Sequence, residues 1–312
     1  MIILITGNKG FVGTETQKLL EENGHVVIGY DLMDNKDIRD IKQFEECIAK
    51  EQPDRILHLA AIARFADSDR DKKLAFQTNV IGTANVALIA NKYHIPIVYS
   101  STGSAIMPLD NYQAPYKEDI PARGNSVYGC TKAVGESYIQ EVNPHIVLRY
   151  AHIYGKEKRM HGLIGGYLDR IKFGMKPILY GGKQNNDFVY VKDIARANML
   201  ALIAPWDKWN QVYHIGSGEE LSAEEAGKIV CKLVGYKGGV EKRTGRTVDP
   251  SRFIFDTKKS EIMLGYKAQY SLEKGLQDMF KEIENDKKQK DLDSGFSIIN
   301  WKGGGAPTCP AK

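Results

Sequence analysis

Cysteine is scarce in this chain of 312 residues: only Cys47, Cys130, Cys231 and Cys309 occur, with no Cys-x-x-Cys or Cys/His pair at a metal-binding spacing. That argues against a zinc site or a disulfide framework as the organising element and points to a reducing, cytoplasmic setting. Long apolar runs are missing as well. None approaches the roughly 20 residues that a membrane span needs, and the N-terminus has neither a basic segment nor a small-residue cleavage site. Excess charge of one sign is also lacking: 43 Lys+Arg against 39 Asp+Glu leave a net charge of +4. This is too mild and too evenly spread for a nucleic-acid or membrane surface, so neither partner is expected. No internal repeat shows at periods of roughly 20–50 residues. What the chain does have is apolar bulk, 42% of its residues, ample for a buried core.

Short β-branched runs alternate with longer helical patterns through the first half, the signature of a parallel sheet covered by helices. Strands are expected at Ile2–Ile5, Val26–Tyr30, Arg55–Leu59, Ile97–Ser100 and Ile146–Leu148. Helices are expected at Val12–Glu22, stopped by Gly24, and at Gln43–Lys50, Leu74–Tyr93 and Tyr128–Glu141, where apolar residues recur at three and four. This order describes an α/β protein with a Rossmann-type, doubly wound parallel sheet. Asp37 follows Asp31 by only six positions, too few for a crossover, so the helix after the second strand is expected to be missing or reduced to a turn. Beyond residue 150 the elements shorten, with helices near Leu163–Phe173, Lys192–Ile203 and Ala223–Val234 and a strand near Pro177–Tyr180. Residues 1–150 are read as a dinucleotide-binding domain to which some later segments return, and 151–286 as a smaller α/β substrate-binding lobe. Residues 287–312, charged and then glycine-rich, read as a mobile tail.

The first strand runs into TGNKGFVG, which sets Gly7, Gly10 and Gly13 where backbone N–H groups and a helix N-terminus can approach a pyrophosphate. At the end of the second strand, the Asp31 carboxylate can accept hydrogen bonds from both ribose hydroxyls and would repel a 2′-phosphate, favouring NAD over NADP. Lys9 keeps the other choice open, as either a solvated loop residue or a partner for a 2′-phosphate. A second cluster closes the fourth strand: Ser100, Ser101 and Thr102, followed by YGCTK with Tyr128 and Lys132. Four apart on one helix, Tyr128 and Lys132 share a face. A phenol with a pKa of about 10 is a poor base at neutral pH, and a nearby ammonium stabilises its phenolate. Thr102 can hydrogen-bond the same sugar oxygen and guide the proton. Other tempting residues read as structural. His58 is expected to be a hydrogen-bonded core histidine, and His161 and His214 lack metal-ligand partners. Cys130 is expected to pack, and the aromatics of DFVYV to form a half-buried run.

These motifs, joined by DIRD at Asp37–Asp40, HLAA at His58–Ala61, NVIGT at Asn79–Thr83, SSTGS, LRYAHIYG, DFVYVKDIA and YHIGSG, stand in a characteristic order from Met1 to about residue 280. In them the chain resembles the extended short-chain dehydrogenase/reductases, specifically the NAD-dependent nucleotide-sugar epimerase/dehydratase group. The resemblance implies bound NAD, a nucleotide-sugar substrate and a homodimer formed by packing the helix that holds Tyr128 and its predecessor into a four-helix bundle. It further implies that Phe11 and Val12 meet the pyrophosphate through their N–H groups and that Asp37 and Ile38 flank the adenine. Leu59, Ala60 and Ala61 would line the cofactor, with Asn79 and Ser100 nearby, and Lys132 would also hold the nicotinamide ribose. Tyr150 and His152 would sit between nicotinamide and substrate.

Departures from the family pattern narrow the chemistry. The 4,6-dehydratases have an Asp-Glu pair after the catalytic Thr, and the decarboxylating relatives usually a Glu in that stretch; here Gly103 and Ser104 follow Thr102. What remains is epimerisation at C4 of a nucleotide-activated hexose, UDP-linked by analogy. The alternative is net NAD(P)-dependent redox of a 4-keto nucleotide sugar, a free sugar or a uronate. A non-catalytic NAD-sensing protein is disfavoured by the intact Thr102, Tyr128 and Lys132 set. His152 stands where epimerases commonly have Asn, and Asn186 where an Arg usually grips the diphosphate. Arg246, in RTVD, matches the Arg of the family's late R-P-x-D motif and is the expected clamp on the substrate. Lys158 and Arg159 read as a solvated basic loop.

Overall fold

The computed structural model describes residues 1–103, 113–157, 162–244 and 251–289. Arg246, Lys158, Arg159, His161, Ser104 and Cys309 lie outside them. Among the described residues the main sheet has six parallel strands, of which β1 (Ile2–Thr6), β2 (Val26–Tyr30), β3 (Arg55–His58), β4 (Ile97–Thr102) and β5 (His145–Tyr150) come from the first half. The sixth, Gln211–Ile215, returns from the second half, and the order across the sheet is Gln211–Ile215, β5, β4, β3, β1, β2. The chain moves from β1 to an edge at β2 and then back past β1 to β3. That reversal opens a crevice at the carboxyl ends of the strands, where α/β sheets bind ligands.

Both faces of the sheet are covered, which is why β1 reads as an unbroken apolar run, with Ile3, Leu4 and Ile5 fully buried. On one face, α1 (Phe11–Glu22) and the helix Val191–Leu202 pack Leu20, Ile194, Ala197 and Ala201 against Ile3, Ile5 and Leu57. On the other, Phe44 and Ile48 of α2 (Ile41–Glu51) and Val86, Ile89 and Ala90 of a later helix meet Leu4, Ile56 and Ile97. A second core, with Tyr154, Leu168, Leu179, Val230, Leu276 and Met279, gathers segments from beyond residue 150.

Several expectations need correction. A 3₁₀ turn, Leu32–Asp34, does stand between Asp31 and Asp37, but the crossover helix is present as α2. It begins after Asp40, whose carboxylate caps it by accepting from Lys42 and Gln43 N–H, both at 3.1 Å. The Asp31–Asp37 spacing simply measured the turn that precedes it. The single helix expected over Leu74–Tyr93 follows a short helix, α3 (Phe65–Arg70), and is itself split. It becomes α4 (Lys72–Phe76), a π-helical stretch Gln77–Gly82, and α5 (Thr83–Lys92). The widened turn carries Asn79, and π geometry is common at functional sites. The run Phe188–Tyr190 is fully rather than half buried, and Cys130 is exposed rather than packed. No helix among the described residues is long and apolar enough to cross a membrane.

Candidate active site

At the end of β1 the chain turns through Gly7 with φ +74°, a left-handed conformation that only glycine adopts freely. A Cβ there would lie 2.8 Å from the Ala60 nitrogen, and one on Gly13 would lie 2.2 Å from the Gly7 carbonyl oxygen. These two glycines therefore let the loop, the start of α1 and the Leu59–Ala61 turn close on each other. Gly10 differs. It is exposed, and a Cβ there would meet only the Gly7 oxygen, at 3.1 Å. The helix behind it has no side-chain cap and no acid in its first turn, so the first-turn N–H groups are free to serve an outside anion. This cradle fits a pyrophosphate.

Asp31 borders the loop. Its Oδ2 accepts the Lys9 N–H at 3.0 Å and its Oδ1 the Met33 N–H at 2.9 Å, which fixes the carboxylate while each oxygen keeps a lone pair for a ribose hydroxyl. The Lys9 ammonium is paired with Asp34. Asp37 is also engaged: Arg39 Nε lies 2.9 Å from both its oxygens, and this partner holds its carboxyl below the usual range. Ile38 is buried, close enough to Gly82 that a Cβ there would come within 2.6 Å of it.

Asn79 bridges two segments. Its amide accepts from Ile62 N–H at 2.7 Å and donates to the Ile62 carbonyl at 3.1 Å and to Thr131 Oγ1 at 2.9 Å. It thus ties the Leu59–Ala61 turn to α6 (Val127–Gln140). Ser100 donates to the His58 carbonyl at 3.1 Å. His58 is the structural histidine expected, fully buried between Thr6 Oγ1 at 2.6 Å and Thr83 Oγ1 at 3.0 Å, with burial pushing it down to about 3.

The helix α6 opens at Ser126, whose hydroxyl accepts the Gly129 N–H at 3.0 Å, and this cap sets Tyr128 and Lys132 on adjacent turns. Thr102 of β4 lies near enough to Tyr128 for its hydroxyl to act on the phenol, and the ring of Phe65 packs edge-on to Tyr128 at 5.6 Å. Burial holds the Tyr128 phenol above its ordinary range, with the Thr102 hydroxyl pulling the other way. Lys132 is buried, which brings its ammonium down to about 7 against the opposing pull of Glu136. Such a group can change charge near neutrality. Tyr150 is less available than expected, because its hydroxyl donates to Asn198 Oδ1 at 2.5 Å inside the core.

His152 packs against Phe253 at 5.2 Å and Phe188 at 6.0 Å, and burial pushes its imidazole down to about 4. Asn186 lies between strands Leu221–Ser222 and Arg252–Phe253, its amide donating to the Gln184 carbonyl at 3.1 Å. Two neighbours escaped the sequence reading. Arg252 forks onto Glu220 at 2.6 and 2.7 Å beside Asn185. The Phe255 ring fills the space beside Gly103, where a Cβ would lie 1.9 Å from it. Neither partner is signalled by spacing, since the contacts join residues far apart in the chain. The position that follows Thr102 is thus walled by an aromatic ring. Among the described residues, no group of three or more His, Cys, Asp or Glu is placed to hold a metal.

The NAD dependent epimerase/dehydratase family matches residues 3–216. A relative in Methanocaldococcus jannaschii, provisionally named a UDP-glucose 4-epimerase, is 33% identical over 92% of this chain and 100% of its own. The UDP-glucose 4-epimerase of Thermotoga maritima, solved with UDP-glucose, superposes with a TM-score of 0.83 at 29% identity, covering 92% of this chain and 99% of that one. The Thermus thermophilus UDP-glucose 4-epimerase complex with NAD shares the fold, with a TM-score of 0.80 at 24% identity over 97% of this chain and 100% of that one. By the extent of these matches the chain belongs to the NAD dependent epimerase/dehydratase family and is an enzyme whose cofactor is NAD.

Proposed function

We propose that the enzyme epimerises C4 of a nucleotide-activated hexose, a UDP-sugar by analogy with its relatives. The observation that carries this reading is the meeting of Thr102 with Tyr128, with Lys132 one turn on and Phe255 filling the space beside Gly103. That arrangement supplies a proton-transfer group and leaves no room beside Gly103 for the acid that eliminates water. Gly7, Gly10, Gly13, Phe11, Val12 and Asp31 would hold NAD, with Asp37, Ile38, Leu59, Ala60, Ala61, Asn79, Ser100 and Tyr150 around it. NAD supplies the acceptor and the donor of the hydride at C4.

The chain's own residues handle the proton. Tyr128, as phenolate, takes it from the 4-hydroxyl and returns it after the sugar has turned its other face. The Lys132 ammonium stabilises that phenolate and holds the nicotinamide ribose, and Thr102 steers the sugar oxygen. His152, Asn186 and Arg246 would contact the substrate. Residues 1–150 would act as the cofactor domain and 151–286 as the substrate lobe. Proton NMR of UDP-galactose, watching for the anomeric signal of UDP-glucose, tests the reading. A stoichiometric change in nicotinamide absorbance would instead mark a net oxidoreductase.

We also infer a homodimer working in the reducing cytoplasm, which the free thiols of Cys47, Cys130 and Cys231 suit. Helices α5 and α6 pack side by side and expose Leu88, Val134 and Tyr138, next to the exposed Ile81 of the π-helical stretch, an apolar surface of the kind that marks an interface. Leu88 is 58% exposed, so Leu88→Arg should leave the fold intact while burying a charge in the contact. Light scattering should then give half the parent's mass. An unchanged dimer mass would place the interface elsewhere.

A further inference from the structure

Lys132 does not stand free beside Tyr128. Its ammonium nitrogen lies 4.1 Å from the centroid of the Tyr99 ring, inside the roughly 6 Å reach of a cation–π attraction. Tyr99 sits on β4 three residues before Thr102, is fully buried, and is held from several sides. His58 stacks on its ring at 5.5 Å and 27°, and His58 is itself pinned by Thr6 and Thr83. The tip of the ring reaches α6, where a Cβ on Gly135 would come within 2.3 Å of the hydroxyl. The ring thus has a fixed orientation, and the missing side chain at Gly135 makes room for it.

The charges around the lysine leave few alternatives for what attracts it. Burial keeps the Tyr99 phenol well above its ordinary range, so it offers no phenolate, and burial drives His58 down so far that it is neutral. Glu136, one turn beyond Lys132 on α6, does draw the ammonium. Its carboxylate, however, is engaged by Arg149 of β5, which donates to it at 3.0 and 2.8 Å. Tyr128 on the same helix is a neutral phenol held up by burial. Gln77–Gly82 carries no charged residue. The one charged residue of α5, Lys92, pairs with Glu45, and Asp67 of α3 pairs with Arg64 and Arg70. On α4, Lys72 and Lys73 are exposed. The desolvated partner in direct reach of the Lys132 ammonium is the π face of Tyr99.

We propose that Tyr99 is a positioning residue for Lys132: its ring face seats the ammonium one helical turn from Tyr128. The inference rests on reading Lys132 as the lysine that stabilises the Tyr128 phenolate. The sign of the effect follows from the chemistry. The ring favours the protonated lysine, so its loss leaves burial less opposed and Lys132 gives up its proton at lower pH.

The test compares Tyr99→Phe, which keeps the ring, with Tyr99→Leu and with Tyr99→Met, which fill much of the same space without a π face. The full chain is labelled with [ε-¹³C]lysine and titrated by NMR, the Lys132 signal being identified by its loss in Lys132→Met. The expected result is a midpoint lower by about one pH unit in the Leu and Met variants, with the parent midpoint kept in Tyr99→Phe. The alkaline limb of the kcat–pH profile should shift by the same amount, with little change in KM. A midpoint that does not move in a folded Leu or Met variant overturns the proposal. So does one that moves equally in Tyr99→Phe, since the hydroxyl and not the ring would then be responsible. The titration needs no turnover, which separates the two readings. A shifted midpoint without conversion of any nucleotide sugar would leave the seat standing and remove the proposed activity. Conversion with an unmoved midpoint would do the reverse.

Discussion

Tyr128→Phe is expected to lower kcat by on the order of 10³-fold, the scale of a positioned proton-transfer group, while the purified protein still retains NAD. The substitution removes one oxygen. The ring stays in its place against Phe65 at 5.6 Å, and the Ser126 cap that starts α6 is untouched. The neighbouring Thr102 keeps its hydroxyl. The proposed cofactor cradle lies elsewhere, at Gly7, Gly10 and Gly13 and beside Asp31, where no atom changes. Steady-state turnover and the nicotinamide nucleotide released on denaturing the protein measure the two halves. A variant with near-parental turnover would remove Tyr128 from the reaction. Loss of bound NAD together with activity would mean that the phenol is chiefly a binding group.

Arg149→Met is expected to destabilise the protein by about 3–5 kcal/mol, the usual consequence of stranding one charge of a buried pair. The side chains of Arg149 and Glu136 are only 4% and 3% exposed. Arg149 forks onto both Glu136 oxygens and also donates to the Ile120 carbonyl at 3.0 Å. Removing the guanidinium leaves a buried carboxylate without its forked hydrogen-bonded partner, with only the through-space attraction of Lys132 remaining. Urea unfolding should show a lower midpoint with an unchanged slope. The double variant Arg149→Met/Glu136→Leu should recover most of the loss, because an apolar pair has no stranded charge. A single variant within about 1 kcal/mol of the parent would mean that water reaches the pair. The pair also matters for the site: Arg149 lies opposite Ser101 in the β4–β5 ladder and joins that ladder to α6, the helix of Tyr128 and Lys132.

The parts of this molecule that were legible in the sequence are those governed by local rules. The strands β1 to β5 fall within a residue or two of their expected limits, and in β1, β4 and β5 apolar runs buried on both faces leave little choice of register. The glycine cradle was legible for a similar reason: Gly7 and Gly13 answer to backbone geometry within a few residues. Features set by distant contacts were not. The π turn at Gln77–Gly82 carries Asn79, which bridges to Ile62 and Thr131, and apolar spacing alone reads through it as one helix. The returning strand Gln211–Ile215 joins β5 across more than sixty residues of chain. Tyr99 beneath Lys132 and Phe255 against Gly103 are likewise meetings across the fold, which no motif encodes.

The most direct test of the proposed activity is proton NMR of UDP-galactose incubated with the purified enzyme and no added nicotinamide nucleotide. Epimerisation through retained NAD predicts that the anomeric signal of UDP-glucose grows in at the expense of UDP-galactose until the two stand at a constant ratio. An unchanged UDP-galactose spectrum, accompanied by stoichiometric NADH formation once NAD is supplied, would contradict it and mark the enzyme as a net oxidoreductase.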